Sequence, residues 1–407
     1  MRFKNGLLFT LLPCICAGCS MAGTKADQEP LVTSSGAAFE APEFYPAFSW
    51  EKVPIYMMFA HGQRLLHHSE VEKIAGETDF ICIEKNHGLH PLGDAVLGLK
   101  HENKAIKDKN PAIKVLGYLN SALTYTFTRY TEMFTPDLIG QHPDRKAFLI
   151  TDRENGELAT HVAGRYCLNV LNPEMRAWWS DAGADMVRVS GADGIFIDQM
   201  HGCSWMHPKD QRQAVADAVA DMMAQLKAKM GPDKMFIANN GAHIPAVFEI
   251  ADGFMFEHYK REVTHTKEKL LQDWEMMEKI ADAGKICIYR FGPEPGPDSP
   301  QITFPGGKAL KGTKRDAYAA LAKEQLEFFL ALYLIGAQPY SYFQWNWAWD
   351  LRGGPLEHYP EFHKPLGTPL GKYKRVHPDQ WEFTREFEHA SVWVDTEKRE
   401  AKLSWKP

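Results

Sequence analysis

Two segments of the chain share one template. Ala192-Asp193-Gly194-Ile195-Phe196-Ile197-Asp198 and Ala251-Asp252-Gly253-Phe254-Met255-Phe256-Glu257 each run from an Asp-Gly turn through three apolar residues to a carboxylate, and Thr78-Asp79-Phe80-Ile81-Cys82-Ile83-Glu84 follows the same template with an apolar residue in place of the glycine. A short apolar run bounded by turn residues is the mark of a buried strand. Side chains alternate across a strand, so Phe196 shares a face with Asp198 and Met255 with Glu257. If the other face packs on helices, all three acids point into one cavity. Like charges brought close push at least one pKa upward, which is how an acid and a base coexist at neutral pH. Paired carboxylates across a sugar bond are the device of glycoside hydrolysis, one protonating the leaving oxygen while the other attacks or activates water. Asp198 and Glu257 are the catalytic candidates, and Glu84 is a candidate substrate contact. The bland alternative is a salt-bridged rim, with Lys85 beside Glu84 and with His258 and Lys260 near Glu257.

The elements around these acids alternate. Eight strands are expected at Ile55 to Ala60, Phe80 to Glu84, Lys114 to Leu119, Gly194 to Asp198, Met235 to Asn239, Gly253 to Glu257, Ile286 to Arg290 and Pro339 to Phe343. Between them lie helical patterns such as Ser69 to Gly76, Pro173 to Ser190, Pro208 to Met230, Thr266 to Gly284 and Lys314 to Gly336. Pro173 and Pro208 suit first helical turns, and Gly76, Gly231, Gly284 and Gly336 suit helix ends. The rhythm is that of βα units, so the expected fold is α/β, a (β/α)8 TIM barrel. A doubly wound open sheet is the fallback, but no glycine-rich phosphate loop follows the first strand. The three acids close strands two, four and six, and alternate strands of a barrel feed one layer. Glu84, Asp198 and Glu257 are therefore expected to converge at the C-terminal rim.

The segments GADGIFID, MFIANNG and FMFEHY, with the late Arg385-Glu386-Phe387-Glu388 stretch, resemble bacterial glycosyl hydrolases related to endo-α-1,4-polygalactosaminidases. The resemblance spans roughly Val53 to Trp405. It implies a barrel glycosidase with Asp198 as nucleophile or base and Glu257 as general acid. No galactosaminidase subsite residue is matched, so polygalactosamine is not carried over as substrate.

Other strand ends suit a sugar site: His61 after strand one, Lys85 after strand two, Tyr118 and Asn120 around strand three, Asn239 and Asn240 after strand five, and Arg290 after strand seven. Asn-Asn-Gly is also a common turn sequence. The last βα region carries Gln344 and, at spacings of two, Trp345, Trp347 and Trp349. On an extended segment these indoles would form one stripe, either stacked on sugar rings or packed in the core. The insert from Ser121 to Asn172 lacks a strong period and follows strand three on the rim side, so it is a candidate substrate wall. Its Arg129, Arg145, Arg153 and Arg165 could meet an anionic sugar, although Asp152, Glu154 and Glu157 lie among them. Phe291 to Gly312, rich in Pro and Gly, is expected as another rim loop. Alternation around Asp395-Thr396-Glu397-Lys398 marks Ser391 to Trp405 as a β-hairpin forming a small C-terminal layer.

The chain begins like a bacterial secretory signal. Arg2 and Lys4 precede an apolar stretch from Gly6 to Ile15, and Ala17-Gly18 stand before Cys19. The ending resembles a lipoprotein signal, which implies cleavage before Cys19, acylation of its thiol and a lipid anchor to a membrane of the bacterial cell envelope. Expected domains are the signal at 1–18, a flexible tether at 19–45, the barrel at 46–375 and an accessory β segment at 376–407. Cys82 and Cys287 lie in apolar runs and are expected to be buried small hydrophobes. With 44% apolar and 24% charged residues the 407-residue chain is an ordinary globular protein, so wholesale disorder is excluded. Its 46 Lys and Arg against 52 Asp and Glu lack the basic excess that phosphate backbones require, so nucleic acid is not an expected partner. No cofactor is called for. Two other classes stay in view. One is a carbohydrate-binding lipoprotein without turnover. The other is a metal-dependent amidohydrolase drawing on the 17 His, though no His-x-His pair follows the first strand.

Overall fold

The computed structural model describes residues 31–257, 264–294 and 313–406. Eight parallel strands run β1 (Met57–Phe59), β2 (Phe80–Ile83), β3 (Lys114–Asn120), β4 (Gly194–Asp198), β5 (Met235–Asn239), β6 (Gly253–Glu257), β7 (Ile286–Phe291) and β8 (Ser341–Trp345), each hydrogen-bonded to the next. The ring closes where Ile55 bridges Phe343 in parallel, with Tyr56 N–H donating to the Phe343 carbonyl at 3.0 Å. The fold is the expected TIM barrel. Around it stand α1 (His68–Glu77), α2 (Ala95–Lys109), α3 (Pro173–Ser190), α4 (Arg212–Met230), α5 (Pro245–Ile250), α6 (Lys267–Asp282) and α7 (Thr313–Gly336).

The recurring Asp-Gly start of strands four and six has a structural cause. Asp193 accepts the N–H of the second residue of the neighbouring β3, Val115, at 2.8 Å, and pairs with Lys107; Asp252 does the same for Phe236 of β5 at 2.7 Å and pairs with Lys227. Each acid thus pins the register of an adjacent strand and satisfies a donor that the ladder leaves open. The glycine that follows lets the next strand come close. A Cβ on Gly194 would lie 2.2 Å from the Met235 carbonyl oxygen, and one on Gly253 would lie 2.6 Å from that of Ile286.

Strand alternation separates two cores. Tyr56, Met58, Phe80, Cys82, Leu116, Tyr118, Phe196, Met235, Ile237, Met255, Ile286, Ile288 and Tyr342 fill the barrel interior. Ile81, Ile83, Val115, Ile195, Ile197, Phe236, Phe254, Tyr289 and Phe343 face outward into the helix layer. Cys82 and Cys287 are both buried, one in each core. Helix α3 starts where Pro173 takes the first turn and Asn172 accepts from the N–H groups of Glu174 and Met175.

Helix α2 turns the buried Glu102 and Asn103 inward beside Val96, Leu99 and Ile106. One expectation needs correction. The stretch 31–45, expected as tether, packs on the N-terminal ends of the strands: Phe39 stacks on Tyr340 at 4.6 Å, Thr33 donates to Asp282 at 2.6 Å and the Tyr45 hydroxyl donates to the Asp252 carbonyl at 2.9 Å. The expected C-terminal β layer is present, and its hairpin is part of a four-stranded sheet. Antiparallel strands β9 (Lys374–Arg375), β10 (Glu382–Glu386), β11 (Ala390–Asp395) and β12 (Glu400–Trp405) form one sheet, with Asp395 closing the β11–β12 turn by accepting from Glu397 and Lys398 N–H. From β10, the buried Arg385 donates to the carbonyls of Leu334, Ile335 and Ala337, satisfying acceptors that the end of α7 leaves open. The signal and Cys19 lie outside the described residues, as do His258, Lys260 and most of the Phe291 to Gly312 loop.

Candidate active site

Strand parity carries the acids to the C-terminal mouth. Asp198 ends β4 on the same face as Phe196, and Glu257 ends β6 on the face of Met255, both of them interior positions. Between them lies Asn239, the last residue of β5. Its amide nitrogen donates to Asp198 Oδ1 at 2.9 Å and to Glu257 Oε2 at 2.6 Å. These two oxygens are therefore at most about 5.5 Å apart, the two bond lengths laid end to end. The second oxygen of Asp198 accepts from the Tyr118 hydroxyl at 2.7 Å and from the Asn120 amide at 3.3 Å. Asn120 is oriented for this because its own carbonyl oxygen accepts from Ala122 and Leu123 N–H, at 3.0 and 2.7 Å. Among the described residues three donors thus hold Asp198, and one holds Glu257.

Burial, and next the charge of Asp198, push the Glu257 carboxyl up to about 7, against the pull of Asn239, Arg290 and Lys85. Glu84 is also raised to about 7, first by burial, with Lys85 opposing and Asp198 adding to the rise. Burial works against the charge on Lys85, but Glu84 and Asp198 more than compensate and raise its pKa. Arg290 is lowered to about 10 by burial despite Glu257 and Glu84 nearby.

The backbone turns sharply beneath these groups. Lys85, Gln199 and Asn240, which immediately follow Glu84, Asp198 and Asn239, all have positive φ (47°, 61° and 51°). Asn tolerates that region; for Lys and Gln it is uncommon and costs of order 1 kcal/mol. The strain coincides with the strand ends that present the acids.

Several sequence candidates serve the site indirectly. Glu84 is fully buried and accepts from Lys85, so it holds Lys85 at the mouth rather than lying open to a ligand. Lys85 Nζ sits 4.7 Å from the Tyr118 ring centroid and 5.1 Å from that of Trp349. Asn240 points its side-chain oxygen at the Glu257 N–H, at 3.1 Å, and so fixes the strand end that carries the acid. Arg290 directs Nε and Nη2 to Asn346, at 2.8 and 2.7 Å, and lies 5.0 Å from the Trp349 ring. Gln344 is buried and donates to Asn346.

Others are packed into the scaffold. His61 is 9% exposed, and its backbone N–H donates to His87 Nδ1 at 3.0 Å while His87 Nε2 meets Glu102 at 2.9 Å. Trp345 and Trp347 are core residues, 4% and 0% exposed, and the Trp345 ring lies 5.2 Å from Phe329 of α7. The expected stripe fails because the chain leaves extended geometry after β8. It then returns so that Ala60 N–H bonds the Trp349 carbonyl at 2.9 Å and Ala60 bridges Asp350. Trp349 alone of the three is docked over Lys85 and Arg290.

The insert after β3 reaches the site at Tyr118. Tyr125 lies edge-on to Tyr118 with ring centroids 6.3 Å apart, and Arg165 caps Tyr125 at 4.1 Å. The loop after β4 brings Trp205, 43% exposed, between His201 and His161, at 4.5 and 4.9 Å. Tyr125, His201 and Trp205 escaped the sequence reading because loop aromatics without periodicity resemble any other loop residue. Among the described residues, no three His, Cys, Asp or Glu ligand atoms converge at the mouth closely enough to hold one ion.

A family model described as hypothetical glycosyl hydrolase family 15 matches residues 107–391, well over half of the chain. The chain belongs to that family. It is a glycoside hydrolase, in keeping with the resemblance read from its sequence. No curated protein matches it by sequence. Among solved structures it is similar to the noncanonic maltogenic alpha-amylase AmyB from Thermotoga neapolitana, at 13% identity and a TM-score of 0.50, over 84% of this chain and 86% of that one. That likeness bears on the barrel fold. It is also similar to the glycoside hydrolase domain of PelA from Pseudomonas aeruginosa (12% identity, TM-score 0.43, 67% of this chain and 91% of that one). A third similar structure is Aspergillus fumigatus Ega3 in complex with galactosamine (13%, 0.41, 77% and 98%).

Two outcomes are expected. Trp347→Ala should cost about 3–5 kcal/mol in denaturant unfolding, as removal of a fully buried indole does, whereas Trp349→Ala should cost under about 1.5 kcal/mol; equal losses would contradict the division into core and mouth. The second concerns Glu257. An acid whose folded pKa exceeds its unfolded value binds more protons when folded, so stability falls as pH rises from about 4.5 through about 7. Glu257→Gln should therefore raise Tm over the parent by about 1–3 °C at pH 8, and the gain should vanish near pH 4. A pH-independent difference would show that the carboxyl is not destabilised by its site.

Proposed function

We propose that this glycoside hydrolase cleaves its substrate by double displacement, with Asp198 as nucleophile and Glu257 as acid and then base. The observation that carries the reading is the Asn239 amide shared by both carboxylates, which holds their facing oxygens within about 5.5 Å. Carboxyl groups about 5 Å apart leave no room for a water between acid and base and suit a covalent intermediate, whereas inverting pairs stand roughly 6.5–9.5 Å apart.

The division of labour follows from the surroundings. Asp198 is held by Tyr118, Asn120 and Asn239, which aim one carboxylate oxygen at the anomeric carbon. Glu257, raised to about 7, keeps its proton near neutrality and delivers it to the departing glycosidic oxygen. As the C1–O bond breaks, Asp198 forms an ester to C1. Glu257, now charged, takes a proton from a water whose oxygen attacks C1; the ester bond breaks and the sugar leaves with its original anomeric configuration. Lys85 and Arg290 flank the pair and favour the ionised Glu257 of the second step. Trp349 on one side and the Tyr125 and Trp205 loops on the other support a cleft for an oligosaccharide or polysaccharide, whose sugar faces suit indole and phenol rings.

The test is a panel of polysaccharides and oligosaccharides, read by reducing ends and by the anomer first released. The parent enzyme should release the anomer of retained configuration. Asp198→Asn and Glu257→Gln should each lower turnover at least about a hundredfold while keeping a parent-like circular dichroism spectrum. Inversion, or near-parent rates in either variant, would remove the assigned roles.

A further inference from the structure

A second cluster of reactive side chains lies at the other end of the barrel. Glu77 is the last residue of α1, three residues before β2 begins its rise from the N-terminal face. His358 and His363 come from the segment that returns after β8, where Leu366 N–H bonds the Glu51 carbonyl ahead of β1. The Glu77 carboxylate and the two imidazoles place one ligand atom each within 4.8 Å of the other two. Glu77 Oε2 and His363 Nε2 are 3.1 Å apart, and the two imidazole rings stack with centroids 5.2 Å apart at 21°. Two ligand atoms on one tetrahedral zinc, each at about 2.0–2.2 Å, stand roughly 3.4 Å from each other, so this spacing needs only small rotations to close on an ion.

The loop is built to hold its histidines still. Between them Tyr359 and Phe362 are buried anchors, their rings 5.2 Å apart, with Phe362 packed 5.8 Å from Phe343 of β8. Both histidines are thereby left on the exposed side, facing the end of α1. A simple ion pair would need only one imidazole beside Glu77. The second one stacked beside it adds a ligand that a salt bridge does not use. Two imidazoles and a carboxylate with an open fourth position select zinc and its neighbours over magnesium or calcium, which prefer all-oxygen sets.

We propose that Glu77, His358 and His363 bind one divalent transition-metal ion of the zinc class, with water completing its shell. The ion ties α1 to the returning segment beside the seam where β1 meets β8, the junction in the ring made by a single bridge, Ile55 to Phe343. The cavity at that seam is lined by Tyr56, Gln344, Trp345 and Phe362, with Glu77 and His363 at its edge. The role is structural, since Asp198 and Glu257 stand at the opposite face. Zinc carried through purification would accordingly say nothing about metal chemistry at the mouth.

The experiment uses the whole chain, stripped with EDTA and dialysed, and titrates ZnCl2 by calorimetry and by thermal unfolding. One equivalent should bind with a dissociation constant of about 10 µM or tighter, and saturation should raise Tm by about 2 °C or more. His358→Ala/His363→Ala and, separately, Glu77→Gln should weaken binding at least about tenfold, and the double variant should lose the thermal shift. Asp198→Asn/Glu257→Gln should bind zinc like the parent. Absence of saturable binding by the parent, undiminished binding by the double histidine variant, or loss of binding in the Asp198 and Glu257 variant would each overturn the proposal. Circular dichroism in EDTA identifies a misfolded variant, and Glu77→Gln, which removes only a charge at a half-buried position, then decides.

Discussion

The Asn239 amide donates to Asp198 on one side and to Glu257 on the other, and two carboxylates held that near one another repel unless a proton or a positive group intervenes. The neighbouring side chains are arranged around this conflict. Asp198 collects Tyr118 and Asn120 as further donors, so the proton is left to Glu257, whose carboxyl burial already favours the neutral form. Lys85 and Arg290 bring positive charge to the mouth, but both are tethered, one to Glu84 and the other to Asn346. The proposed roles of nucleophile and proton donor rest on this asymmetry between two acids that differ little in chemistry and much in company.

The scaffold shows how such a site is kept. Its acids sit at the ends of β4 and β6, whose first residues are locked by Asp193 and Asp252, so a slip in register at the base would turn the acids toward the helices. Positive φ at Lys85, Gln199 and Asn240 puts the strain at the rim, where the rest of the barrel can bear it.

Much of this could be read in the sequence because a strand has a period of two. The template that begins with Asp-Gly and ends in an acid carries enough information to assign Phe196 and Asp198 to one face and to bring strands four and six to the same mouth. Asn239 was visible as a strand-end residue, but its position between the acids depends on β5 lying between β4 and β6, a matter of sheet order. The same reasoning misjudged Trp345 and Trp347. Period-two spacing implies a common face only while the chain stays extended, and it leaves that geometry after Trp345. His61 and Glu84 have the composition of surface groups, and only packing shows that one bonds to His87 and the other lies wholly buried. Residues 31–45 look like linker by polarity, yet Phe39 and Tyr45 find the open base of the barrel. Helix α2 hides its period because buried Glu102 pairs with His87, and such pairing is a property of three dimensions.

The most direct measurement is the identity of the residue that becomes esterified during turnover. The intact enzyme would be incubated with a panel of cyclitol-epoxide and 2-fluoroglycoside probes, digested, and the labelled peptide sequenced by mass spectrometry. The account requires a single sugar-derived adduct on Asp198, lost in Asp198→Asn and formed more slowly in Glu257→Gln. An adduct on Glu257 or Glu84, or labelling that survives the loss of the Asp198 carboxylate, would contradict it.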